Sequence, residues 1–114
     1  MSNDTVDRLK RDRQLDPTCT AIVVVDAQMS EYNDEKQAEK PAYVEAIKTR
    51  ALPAIEKLIA AARPLGVEII YTVIESLTKN GRDRSLDHKL SNIHVPKGSP
   101  LAKMMPGIEP EDDD

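Results

Sequence analysis

Asp26 closes the run A-I-V-V-V-D at Ala21 to Asp26 and has the strongest claim to chemistry in this sequence. A carboxylate at the end of an unbroken, β-branched apolar strand lies outside the carboxyl edge of its sheet. Open α/β sheets keep their sites there. Partial desolvation at such a place raises the competence of the carboxylate as a general base. The plainer alternative is a side chain that caps the following turn. Gln28 follows two residues later, close enough to orient Asp26 or to meet a ligand amide or carbonyl. Tyr32 is placed to wall the same pocket. Arg82 and Arg84, in N-G-R-D-R-S, offer guanidinium forks to a substrate carboxylate or carbonyl, although a solvated loop accounts for them equally well.

Other reactive side chains fit poorly. Cys19 precedes Asp26 by seven residues of mostly extended backbone. At ~3.3 Å per residue that separates the two by roughly 23 Å, along one strand. A nucleophile and its base must meet within hydrogen-bond reach, so Cys19 is expected instead as a small buried hydrophobe. His88 and His94 stand six apart without an Asp-x-His partner, which reads as ordinary surface or satisfied histidine and predicts no metal site. Neither glycine-rich phosphate fingerprint occurs, and Lys97-Gly98-Ser99 lacks the glycine spacing of a phosphate loop, so no cofactor is expected.

The elements that must position Asp26 follow from periodicity. The polar stretch Ala27 to Lys40 reads as a loop over the site, with a helical turn near Asp34 to Ala38. From Pro41 onward, Val44, Ile47, Ala51, Ile55, Leu58, Ile59 and Ala62 recur mostly at spacings of three and four, which predicts a long amphipathic helix. Pro53 should bend or split it, and Pro64 and Gly66 should end it. Val67 to Ile74 is a second β-branched strand, so the whole is one βαβ unit with a parallel pair. Glu75 to Asn92 then loops past the same sheet edge as Asp26. Leu101 to Met105 reads as a short helix, and the closing E-P-E-D-D-D as a solvated tail. Ahead of the first strand, Ser2 to Leu15 reads as a polar helix with a thin stripe at Val6 and Leu9, stopped by Asp16-Pro17.

Composition narrows the function classes. The chain has 114 residues, a formal charge of -4 and no aromatic residue but tyrosine, which leaves neither the charge nor the stacking platforms of a nucleic-acid binder. Arg8, Lys10, Arg11 and Arg13 alternate with Asp7 and Asp12 as a solvated helix face does. No apolar run approaches the ~20 residues of a membrane-spanning helix. One cysteine and an N-terminus of polar and acidic residues make the cytoplasm the expected compartment. Two strands and one crossover helix cannot cover both faces of a sheet, so the strand pattern predicts a partial three-layer α-β-α, Rossmann-like sheet. A second polypeptide or a missing C-terminal half must complete it, and an oligomer is expected.

With those residues in hand, the sequence resembles the N-terminal half of an isochorismatase-like cysteine hydrolase. The resemblance rests on T-A-I-V-V-V-D-A-Q at Thr20 to Gln28, A-I-E-K-L-I-A-A-A-R-P-L-G-V-E-I-I-Y-T at Ala54 to Thr72, and G-R-D-R-S at Gly81 to Ser85. It divides the chain into a lead-in over 1–19, half of a hydrolase domain over 20–110 and an acidic tail over 111–114. It implies Asp26 as the catalytic aspartate of a Cys-Asp-Lys triad that hydrolyses amide-type C–N bonds in a small polar substrate. Gln28 is its motif neighbour, and Tyr32 stands near an aromatic position over the pocket. Ala27 departs from the family's usual methionine, and no aspartate-histidine-histidine metal set can be matched. The family's lysine and cysteine belong to later segments, and Lys97, Lys103 and Cys19 match them by no motif. A truncated, noncatalytic binding or assembly module is the alternative expectation.

Overall fold

The computed structural model describes residues 14–114; the helix expected over Ser2 to Leu15 falls almost wholly outside them. The β-branched runs form the two strands. β1 (Ala21–Val25) and β2 (Glu68–Thr72) pair in parallel, in register from Ala21 opposite Glu68 to Val25 opposite Thr72. β2 is shorter than the expected Val67 to Ile74 because its ladder is interrupted by a side chain. The N–H of Ile74 donates to Gln28 Oε1, and its carbonyl accepts from Gln28 Nε2.

Between the strands the chain is helical. Asn33 caps α1 (Asp34–Glu39) by accepting from the N–H of Lys36, which secures the short turn expected there. Pro41 opens α2 (Pro41–Ala46) at a position where its missing donor costs nothing. A π-helical turn (Ile47–Ala51) follows and leads into α3 (Leu52–Ala62). Pro53 accounts for it: proline cannot donate and its ring crowds the preceding turn, so the helix widens ahead of it. The N–H of Leu52 bonds the carbonyl of Ile47, five residues back. The split expected at Pro53 is thus one turn of looser helix. Past a tight turn (Arg63–Leu65), Gly66 takes the left-handed conformation at φ 72°. The N–H groups of Gly66 and Val67 return to Arg63 and Ala62, closing the helix in a Schellman motif.

Alternation along the strands sends Ile22, Val24, Ile69 and Tyr71 into one core with Ile59 and Ala62 of α3. Val23, Val25 and Ile70 face the other way and are 53%, 68% and 42% exposed. This agrees with the expectation that two strands and one crossover helix leave one face of the sheet uncovered. Among the described residues one helical layer packs on the sheet, and the opposite apolar face is bare.

The C-terminal stretch departs furthest from expectation. Instead of a helix over Leu101 to Met105, a single tight turn (Pro100–Ala102) leads into extended chain, and Met104 bridges Gln28 in antiparallel fashion. Met104, Met105 and Ile108 then fill the core, Ile108 with no exposed surface at all. The acidic tail is not free. Arg63 reaches Asp114 Oδ2 at 2.7 Å and Glu111 Oε1 at 3.0 Å, and also donates to the carbonyl of Glu109 and to Tyr71 Oη. Composition reads such a tail as solvated because it carries no trace of the arginine folded against it.

This clasp makes a pH prediction. The hydrogen bond from Arg63, reinforced by the N–H of Glu111, holds the Asp114 carboxyl below its ordinary value of 3.8. A carboxyl depressed on folding contributes stability above its unfolded value and loses it as pH falls through the folded one. Asp114→Asn is expected to lower stability near neutral pH and to flatten the acid limb of the stability curve below about pH 4. Urea midpoints across pH 2 to 7 check it, and parallel curves for the two proteins would refute it.

Candidate active site

The site is built where the two strands end. The chain leaves β1 through Asp26 at φ 71°, a left-handed conformation uncommon for any residue but glycine, asparagine and aspartate. This turns the side chain back across the sheet edge toward β2. Thr72, the last residue of β2, donates from Oγ1 to Asp26 Oδ1 at 2.6 Å, and the N–H of Asp26 donates to the carbonyl of Thr72 at 3.3 Å. One carboxylate oxygen is thus held by a short hydrogen bond, while the residue stays half-buried. A carboxylate oriented through one oxygen can accept a proton from a reacting group at the other. Thr72 escaped the sequence reading. Its only signal there was its place as the last polar residue of a β-branched run, and the parallel register decides the contact.

Gln28 is 1% exposed and serves as a clamp. Nε2 donates to the carbonyls of Ile74 and Ala102 at 3.0 and 2.9 Å, and Oε1 accepts from the N–H of Ile74 at 2.8 Å. The expected contact with a ligand is corrected accordingly: both donors are spent on backbone, and the side chain is buried. Gln28 acts instead on the loop that follows Asp26. The N–H groups of Met29, Ser30 and Met105 pair with the carbonyls of Lys103, Leu101 and Ala27, so residues 101–105 brace the turn from the other side.

Tyr32 lies half-buried against the core and lines a 280 Å³ cavity with Met29, Asn33, Asp34, Gln37, Val44 and Lys48. Asp26 is not part of that lining, so the structure does not bring Tyr32 and Asp26 into one pocket. The two arginines also part company. Arg84 is consumed by the loop, with Nε on the carbonyl of Gly81 and Nη1 on that of Ile93. Asp83 likewise accepts from the N–H of Leu77 and from Thr78 Oγ1, which holds its carboxyl below the usual range. Gly81 is tightly enclosed: at φ 67°, a Cβ there would come within 2.6 Å of His94 Nε2. Arg82 remains exposed, its N–H accepted by Asn80 Oδ1. A cavity of 280 Å³ opens beside this loop, with Glu75, Ser76, Asp83, Arg84, Ser85 and His88 among its walls.

Cys19 ends a tight turn (Pro17–Cys19) ahead of β1, at the opposite end of the strand from Asp26, as the distance argument requires. Its expected burial is corrected. The thiol is exposed, its Sγ 3.6 Å from Asp16 Oδ2. Among the described residues no three His, Cys, Asp or Glu side chains converge as metal ligands would, and no helix is long and apolar enough to cross a membrane.

A parallel strand pair, a crossover helix and an aspartate turned across the carboxyl edge can now be set against known proteins. The isochorismatase domain matches residues 20–114. The chain belongs to the isochorismatase family. Its fold is that of an isochorismatase-like hydrolase, and the similarity extends to a solved cysteine hydrolase from Pseudomonas syringae pv. phaseolicola 1448A. That structure superposes with a TM-score of 0.67 at 26% identity, over 90% of this chain and 47% of the other. The chain thus spans about half the length of that relative. Comparison with curated proteins returns no match. The expected family and α/β architecture are therefore both established, and Asp26, Gln28 and Thr72 all fall inside the matched domain.

Proposed function

We propose that this chain supplies the general base of a cysteine hydrolase that cleaves an amide- or ureide-type C–N bond in a small polar substrate. The observation that carries the reading is Asp26, held across the sheet edge by Thr72 at 2.6 Å within an isochorismatase domain. The nucleophilic cysteine and the charge-stabilising lysine come from a second polypeptide or a further C-terminal segment. The bare face of Val23, Val25 and Ile70 supports such a partner, since exposed contiguous apolar surface marks interaction sites.

In the assembled site Asp26 takes the proton of the cysteine thiol, and the thiolate attacks the substrate carbonyl carbon. The C–N bond breaks as that proton passes to the leaving nitrogen, and water hydrolyses the resulting thioester. Lysine stabilises the charge that develops on the way. On the 76–95 loop, Arg82 is the guanidinium available to a substrate carboxylate or carbonyl. Arg84 shapes the loop that carries it. Cytoplasmic location and a multi-chain assembly belong to this reading.

Native mass spectrometry of the purified protein, followed by denaturing mass of each component, tests it. A second, different polypeptide bearing lysine and an alkylation-sensitive cysteine, or a longer chain that carries both beyond Asp114, is the expected result. Assemblies holding only copies of this chain would overturn it, because copies cannot supply that nucleophile, and would leave a noncatalytic assembly module.

A further inference from the structure

Past the carboxyl end of β2, the chain from Val73 to Ser76 forms one wall of the 280 Å³ cavity beside the 76–95 loop. Val73 directly follows Thr72, the residue that holds Asp26, so the cavity opens beyond the same sheet edge. Val73, Ile93 and Val95 give it apolar surface. Ser76 lines it as well and is 7% exposed. Its N–H donates to the carbonyl of Val95 at 2.8 Å, but its hydroxyl makes no hydrogen bond among the described residues. Buried hydroxyls are ordinarily satisfied. This one is not sealed in protein, so the partner it can take lies in the cavity.

Two opposite charges share the walls. Glu75 spends Oε2 on the N–H of Gly98 at 2.9 Å and keeps Oε1 unspent among the described residues. Nε and Nη1 of Arg84 sit on the carbonyls of Gly81 and Ile93. That fixes a guanidinium in the wall, paired with no carboxylate among the described residues. Asp83, the remaining acid of the lining, is turned to the N–H of Leu77 and to Thr78 Oγ1. We propose that this cavity is a charge-sorting pocket, with Ser76 and Glu75 as its specificity residues. It takes a small uncharged group that carries an acceptor and a donor side by side on an apolar body. A single charge of either sign gains from one wall and is repelled by the other, so its desolvation goes uncompensated. An uncharged group loses little by leaving water. Its oxygen accepts from the Ser76 hydroxyl, its N–H donates to Glu75 Oε1, and its body meets Val73, Ile93 and Val95. The pocket's part in choosing a substrate rests on the hydrolase reading; binding in it does not.

Probes that share one branched body separate the charges: isobutyramide, isobutyrate, isobutylamine and the zwitterion valine. Each is titrated into the purified protein near neutral pH, and amide NMR shifts of residues 73–76 and 83–95 report binding. Isobutyramide is expected to give saturable shifts at a Kd at least about tenfold below those of the charged probes. Ser76→Ala removes a hydroxyl that holds nothing else and should weaken the amide by about 2–10-fold. Glu75→Gln keeps an acceptor for the N–H of Gly98 while removing the charge. Isobutyrate should then bind at least about fivefold more tightly, with little change for the amide. No saturable shift, an amide affinity unmoved by Ser76→Ala, or valine or isobutyrate binding the unaltered protein as tightly as the amide would overturn the proposal. Turnover is not read in these titrations. An absence of hydrolysis would therefore count against the hydrolase reading and leave the sorting intact, and equal binding of all four probes would do the reverse.

Discussion

Asp26→Asn is expected to lower turnover of the assembled hydrolase by about 10²–10⁴-fold, the range that a positioned general base contributes. The substitution isolates the base because it changes little else. Asparagine accepts the left-handed backbone that Asp26 adopts at φ 71° at least as readily as aspartate. Its carbonyl oxygen can take the hydrogen bond that Thr72 now donates to Asp26 Oδ1. Stability should therefore move by less than about 1 kcal/mol. Alanine would be a poorer choice, since it loses the Thr72 contact and strains the turn together. The check is kcat with a small amide substrate, beside a urea midpoint. A pH profile adds a signature that a structural role would not give. The limb set by the base should disappear from whatever residual rate remains. Unchanged turnover with a normal pH profile would sink the assignment of Asp26.

Gln28→Leu should lower stability by about 3–5 kcal/mol. Leucine has a similar volume, so the loss is not one of packing. It strands the N–H and carbonyl of Ile74 and the carbonyl of Ala102, on half-buried residues, against a side chain that is 1% exposed. Each unsatisfied buried group costs about 1–3 kcal/mol, and a domain of this size holds only about 5–15 kcal/mol in all. Chemical denaturation of the two proteins measures the difference. Gln28→Glu sharpens the interpretation. It keeps an acceptor for the N–H of Ile74 but loses both donors and buries a charge. Its deficit should shrink in mild acid, where a neutral carboxyl regains one donor. A loss below about 1 kcal/mol for the leucine variant would mean that water satisfies those groups and that Gln28 is no clamp.

Gln28 also shows why part of the site was hidden. Its partners stand 46 and 74 residues away in the chain, and no local pattern announces them. A polar residue two positions after an aspartate suggests a ligand contact as readily as a structural one. Burial decides between them, and burial is a tertiary property. Thr72 was hidden for a related reason: its meeting with Asp26 depends on the register that places Val25 opposite Thr72. Arg82 and Arg84 are alike in sequence, yet only the folded loop spends Arg84 on two carbonyls.

By itself the sequence determined both strands, the crossover helix with its disturbance at Pro53, its stop at Gly66, and Asp26 at the carboxyl edge. These features are local. Runs of β-branched residues suit a pleated backbone, a proline removes one donor, and a glycine admits one conformation, whatever the rest of the chain does. The tertiary structure alone decided the course of residues 101–114. Locally Met104 and Met105 read as the end of a short helix and Ile108 as loop, yet in extended chain together they fill the core beside β1 and α3. The acidic residues after them read as solvated until Arg63, 51 residues earlier than Asp114, is folded against them. A charge is solvated or paired according to what stands within a few ångströms of it, and that distance exists only once the chain is folded.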